Sequence, residues 1–79
     1  MANEFDGYGN WATRNVALWL SNDYPLYCVV QGFKGYKTPF LSLRRELMTT
    51  FGFTLTKDGV SLWDGSLDIA ALNDLITEA

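Results

Sequence analysis

Five acidic residues follow Lys57 with no base among them: Asp58, Asp64, Asp68, Asp74 and Glu78. Neighbouring carboxylates are the usual parts of general acid–base chemistry, one holding a proton while the other stays ionised. Asp64 and Asp68 could converge at the start of a helix, with Asp58 nearby in sequence. Each has a simpler use. Asp58-Gly59 and Asp64-Gly65-Ser66 read as turns, and Asp68 reads as a helix cap. There is no histidine, so the commonest general base and the commonest metal ligand are both missing. The single cysteine, Cys28, has no histidine to activate it and reads as a small buried or half-buried apolar residue. No GxGxxG, P-loop, GxSxG or metal-ligand spacing occurs. The expectation is a protein that is not an enzyme, with no catalytic residue, no cofactor and no metal.

What remains is binding. Phe33-Lys34-Gly35-Tyr36-Lys37 interleaves bases with aromatics, the two ingredients of a single-strand nucleic-acid surface. Phe33, Lys34, Tyr36 and Lys37 are therefore candidate contact residues. The formal charge of −3 is unevenly spread: Lys34, Lys37, Arg44 and Arg45 lie within twelve residues that hold no acid. One reading is two solvated faces that attract each other modestly. The other is an acidic patch, with Trp63, Asp64 and Asp74 as candidates, that meets a basic protein or imitates nucleic acid. Four cations in an acidic chain are a poor footprint for phosphate, so nucleic acid is disfavoured as a partner.

The elements that must position these residues come next. Seventy-nine residues make one domain near the lower limit for folding on burial alone. A hydrophobic content of 48% and an aromatic content of 15% supply the core and argue against disorder. One cysteine excludes an intramolecular disulfide. No basic segment precedes an apolar run at the start, and no uncharged run, Tyr24 to Phe33 included, is long enough to span a bilayer. The expected setting is the cytoplasm, with a reduced thiol and no membrane.

Residues 1–9 read as a flexible arm, pinned through Phe5 and Tyr8, and residues 10–79 as a single compact domain. A helix starts at Asn10 or Thr13 and ends near Asn22. Ala12, Val16, Trp19 and Leu20 share one face of it, and Ala17 and Leu18 extend the apolar surface sideways. Such a helix is expected to be the packed axis of the domain. Trp11, Asn15 and Asn22 share another face, where the asparagines read as partners for buried backbone groups. Asp23-Tyr24-Pro25 starts a second helix that runs to Gln31 and stops at Gly32. Thr38-Pro39 starts a third, Pro39 to Thr50, with Gly52 as its left-handed stop. Phe40, Leu43, Leu47 and Phe51 form its buried stripe, with Leu41 and Met48 alongside.

From Phe53 to Trp63 the apolar period changes from 3.6 to 2. Asp58-Gly59 is a two-residue hairpin signal. It pairs Lys57 with Val60, Thr56 with Ser61 and Leu55 with Leu62. Phe53, Leu55, Val60 and Leu62 then face inward, and Thr54, Thr56, Ser61 and Trp63 outward. Asp68 caps a last helix whose inward residues are Ile69, Leu72, Leu75 and Ile76, with Leu67 and Leu72 as a hydrophobic staple. The expected class is α+β: about four helices plus a C-terminal β-hairpin around Phe53–Trp63.

Two stretches carry a family resemblance. NWATRNVALWLSND, followed by Pro25-Leu26-Tyr27, resembles the opening of a family of short, functionally uncharacterised proteins carried by bacteriophages and plasmids. That opening reads N-W-x-T-x-N-V-A-L-W-I-x-N-D and leads into a stretch ending in L-Y. DGVSLWDGSLDIAALNDLI resembles the same family's end. Pro25 stands where an acidic or glycine residue is more usual, Arg14 where an aromatic is frequent, and Gln31 to Phe51 does not align. The resemblance implies a mobile-element accessory protein in a bacterial host, acting by binding a host protein as an inhibitor, host-takeover or anti-defence factor. A second reading is a self-associating structural protein, a homodimer through Trp63 and its neighbours.

Overall fold

The computed structural model describes residues 8–79. Most of the expected arm, including Phe5, lies outside the described residues. Tyr8 is half-buried against the core.

Four helices are present among the described residues: α1 (Trp11–Asn22), α2 (Tyr24–Gln31), α3 (Pro39–Phe51) and α4 (Ile69–Thr77). Their starts follow from local chemistry. Asn10 accepts from the Thr13 N–H, Asp23 from the Leu26 N–H and Asp68 from the Ala71 N–H. Each carboxylate or amide oxygen satisfies a donor that the helix itself leaves open. Thr38 departs from this pattern and makes no side-chain cap bond. Asn73, from the middle of α4, accepts instead from the Phe40 N–H at 2.9 Å. At the other end of α3, Gly52 adopts φ 72°, and the N–H groups of Gly52 and Phe53 bond the carbonyls of Met48 and Leu47. A left-handed residue there closes the last turn at no Cβ cost.

The core gathers Val16, Ala17 and Leu20 of α1, Leu26 and Val30 of α2, Phe40, Leu43 and Leu47 of α3, and Leu72 and Ile76 of α4. Val60, Leu62 and Leu67 join it from the α3–α4 connection. Val16, Ala17 and Leu20 of α1 are buried, as expected of an axis, while Leu18 and Trp19 are half-buried. The helix that touches all three others is α4, whereas α1 packs chiefly on α2 and α4.

The α+β expectation fails. Among the described residues there is no sheet, and the Phe53–Trp63 hairpin reduces to one isolated antiparallel bridge between Leu55 and Ser61. The chain therefore belongs to the mostly helical class. The reversal itself is real but one residue out of the expected register. The Thr56 N–H bonds the Val60 carbonyl at 2.8 Å, and the Leu62 N–H bonds the Thr54 carbonyl at 2.9 Å. Lys57, Asp58 and Gly59 form a three-residue loop, closed by Gly59 N–H to the Thr56 carbonyl, with Gly59 at φ 90°. A type I turn followed by a left-handed glycine is the common three-residue alternative to the two-residue hairpin.

The physical reason lies in α1. Asn15 is buried, and both ends of its carboxamide engage the loop. The Thr56 hydroxyl donates to Asn15 Oδ1 at 2.6 Å, and Asn15 Nδ2 donates to Asp58 Oδ2 at 2.7 Å. The Val60 N–H donates in turn to Thr56 Oγ1. A two-residue loop would turn Thr56 outward and leave a buried amide unsatisfied, which is the costlier arrangement. A slip of one residue exchanges the two faces of a strand. Thr56 is thus buried, while Leu55 and Phe53, expected inward, are exposed. Phe51, Met48 and Leu41 of α3 are exposed as well, so the buried stripe of that helix ends at Leu47. Cys28, expected at least half-buried, is also exposed.

Candidate functional site

Three of the residues displaced outward, Phe51, Phe53 and Leu55, collect around one groove. Gly52 reverses the chain so that Phe53 stacks on Phe51, with ring centroids 5.8 Å apart and planes 16° from parallel. Trp19, on α1, meets the Phe53 ring edge-to-face, with ring centroids 6.0 Å apart. Leu26 and Val29 of α2, Leu47 and Phe51 of α3, and Phe53 and Leu55 line a groove of about 610 Å³, with Trp19 and Pro25 completing its walls. Asp23 and Lys57 bring one charge of each sign to its lining. Leu55 is 52% exposed, Phe51 46% and Phe53 45%. Three adjacent large apolar side chains, each about half in water, form a contiguous surface rather than scattered exposure. A smaller depression shares Trp19, Asp23 and Lys57 with the groove and extends it to Leu18 and the exposed Trp11.

The residues singled out from the sequence do not converge. Phe33 is half-buried and tilts against Tyr36 at 4.8 Å, while Lys34, Tyr36 and Lys37 stand exposed in the loop after α2. Trp63 is exposed, but the Arg44 guanidinium lies 5.1 Å from its ring centroid and bonds the Leu62 carbonyl. That contact takes one of the four clustered cations out of the basic patch. Asp64 forms a tight turn in which the Ser66 hydroxyl and N–H both donate to Oδ1, at 2.6 and 2.8 Å. The Ser66 hydroxyl first, then its N–H, hold the Asp64 carboxyl below the ordinary aspartate value. Asp74 lies with Glu78 on a separate cleft lined also by Tyr8, Ser21 and Tyr27. The carboxylates weighed as an acid–base set are each tied elsewhere: Asp58 to Asn15, Asp64 to Ser66, Asp68 to the start of α4.

In the sequence the groove residues fit a core pattern, so nothing in their spacing sets them apart as a surface. One signal was present: Phe51-Gly52-Phe53 places aromatics on both sides of a helix stop, where at most one can follow the helix into the core.

Comparison of the chain with protein-family models, with curated proteins and with solved structures returned no match. Among the described residues, no helix is long and apolar enough to cross a membrane.

Proposed function

We propose that this chain is a non-enzymatic binding protein, and that the aromatic groove is the surface it offers to another protein. The observation that carries this reading is the half-exposed row of Phe51, Phe53 and Leu55 beside Trp19. A contiguous apolar patch left half in water beside a tryptophan is the kind of surface that marks a protein-interaction site. The use of Asp58, Asp64 and Asp68 in turns and a cap supports the non-enzymatic part. The resemblance of the two terminal motifs to bacteriophage and plasmid proteins supplies the setting: an accessory protein in a bacterial cytoplasm, acting stoichiometrically on a host protein to inhibit or redirect it.

The test is affinity capture from bacterial lysate with the wild-type chain, with Leu55→Asp and Phe51→Asp in the groove, and with Asp74→Lys on the separate cleft. A host protein that is retained by wild type and Asp74→Lys but lost with both groove variants supports the reading. Capture that survives the groove variants and fails with Asp74→Lys moves the contact to the acidic cleft.

A further inference from the structure

Away from the groove, Trp63 closes a smaller depression of about 310 Å³ whose other walls are Leu41, Ser42, Arg44 and Arg45 of α3. Residues three and four apart are neighbours on a helix, so Leu41 meets both arginines and Ser42 meets Arg45. The lining holds two cations and no acid, in a chain of net charge −3. Among the described residues neither arginine has a carboxylate partner. Arg44 is half-buried and held in place. Its guanidinium carbon lies 5.9 Å from the Phe40 ring centre and 5.1 Å from that of Trp63, and Nη1 donates to the Leu62 carbonyl at 3.2 Å. These contacts orient the charge without neutralising it, and most of the guanidinium's N–H donors stay unused. Ser42 adds a hydroxyl. A serine or threonine within a helix commonly bonds back to the carbonyl four residues earlier, as Thr49 does to Arg45 at 2.9 Å. The half-buried Ser42 hydroxyl makes no hydrogen bond among the described residues.

We propose that this depression binds the phosphate monoester group of a small ring-bearing molecule, a mononucleotide being the biological form of that chemistry. Arg44, Arg45 and Ser42 take the phosphoryl oxygens, and the ring lies on the exposed part of Trp63 with Leu41 at its edge. Charge selects the phosphoryl group. A carboxylate carries one charge and is satisfied by a single guanidinium fork. A phosphate monoester carries about −1.5 to −2 and three strong acceptor oxygens. Two adjacent guanidinium groups and a hydroxyl match the second. Geometry places the ring: the Arg44 guanidinium is 5.1 Å from the Trp63 ring centre, so both ends of one small molecule are served together. A single phosphoryl group needs only this pair of cations, not the long basic track that a nucleic-acid strand requires. The depression shares no residue with the aromatic groove, and the proposal stands whether or not the groove docks a protein.

The experiment is NMR titration of the full chain with phenyl phosphate, adenosine monophosphate, inorganic phosphate and benzoate. The signals followed are the Trp63 indole N–H and the Nε–H of both arginines, with Trp11 and Trp19, which line a different depression, as internal controls. Phenyl phosphate and adenosine monophosphate should move Trp63 and the arginines, leave the control tryptophans in place, and bind about ten-fold more tightly than inorganic phosphate, the gain of one ring stacked on an aromatic side chain. Benzoate, the same ring with a single charge, should bind about ten-fold more weakly than phenyl phosphate. Arg45→Gln should weaken phenyl phosphate about ten-fold or more. Lys37→Gln removes the same charge outside the lining and should change it less than about three-fold. Both residues are exposed, and unchanged circular dichroism spectra show that the variants fold. Trp63→Ala should bring phenyl phosphate down to the level of inorganic phosphate. Equal losses from Lys37→Gln and Arg45→Gln overturn the proposal, because general charge then holds the anion. So does benzoate binding as tightly as phenyl phosphate, or an unmoved Trp63 at millimolar phenyl phosphate. A phosphotyrosine peptide that binds more tightly than adenosine monophosphate overturns the nucleotide and assigns the site to a modified protein.

Discussion

Asn15 decides more of this structure than any other single polar residue. One buried carboxamide accepts from Thr56 and donates to Asp58, and Thr56 passes the connection on to the Val60 N–H. Removing it leaves the buried Thr56 hydroxyl without its acceptor, while the exposed Asp58 carboxylate returns to water. Asn15→Ala is expected to cost about 1–3 kcal/mol, the cost of a buried donor left without its acceptor. Urea unfolding measures this, and a cost under about 0.5 kcal/mol, the level of an ordinary surface change, would show that the loop is held elsewhere. Asp64 gives a second prediction at this scale. Its folded-state pKa lies below the unfolded value because Ser66 donates twice to the ionised form. The sign follows: the contribution is fully present above the unfolded pKa, near pH 4, and is lost as pH falls through the folded pKa. Carboxyl titration by NMR should place the Asp64 midpoint below the ordinary aspartate value, and Ser66→Ala should move it back up.

Among the elements, the start of α3 shows how a cap can come from far away. Thr38 precedes Pro39 as a cap should, yet the first turn is served by Asn73, thirty-three residues on. Asn73→Ala should therefore destabilise the fold by about 1 kcal/mol, the usual cost of a lost cap, while Thr38→Ala should cost far less. Thermal melts of the two variants make the comparison, and equal costs would return the cap to Thr38. The start of α1 is tied in the same long-range way: Thr13 Oγ1 accepts from the Asp68 N–H, and Asn10 Nδ2 donates to the Ser66 carbonyl. These bonds fasten the beginning of α1 to the approach of α4. Neither is visible from local sequence, because a cap reads the same whether its partner is three residues away or fifty.

For the molecule as a whole, α4 is the element that meets all the others. Leu72 and Ile76 are fully buried on it, between helices from both halves of the chain. Leu72→Ala should cost about 2–5 kcal/mol, a large part of the stability of a chain this short. Leu55→Ala should leave the monomer within about 0.5 kcal/mol of wild type, although Leu55 is as hydrophobic. Chemical denaturation at low micromolar concentration separates them, and similar costs would mean that Leu55 is a core residue after all. The contrast divides the apolar residues into those that hold the fold and those it leaves half in water.

Local residue patterns alone dictate where the helices lie and how most of them begin and end. Asn10, Asp23 and Asp68 are caps, Gly32 and Gly52 are stops, and the apolar spacing of each helix reports local, short-range physics that a chain carries wherever it folds. Those patterns leave open which apolar residues lie inside. Long-range packing settles that, because the choice between a two-residue and a three-residue loop at Asp58-Gly59 turns on the buried amide of Asn15 in α1, some forty residues earlier. Once Asn15 drew Thr56 inward, the two-residue period of the strand sent Leu55 and Phe53 outward, and what reads as the fourth wall of a core became an open aromatic groove.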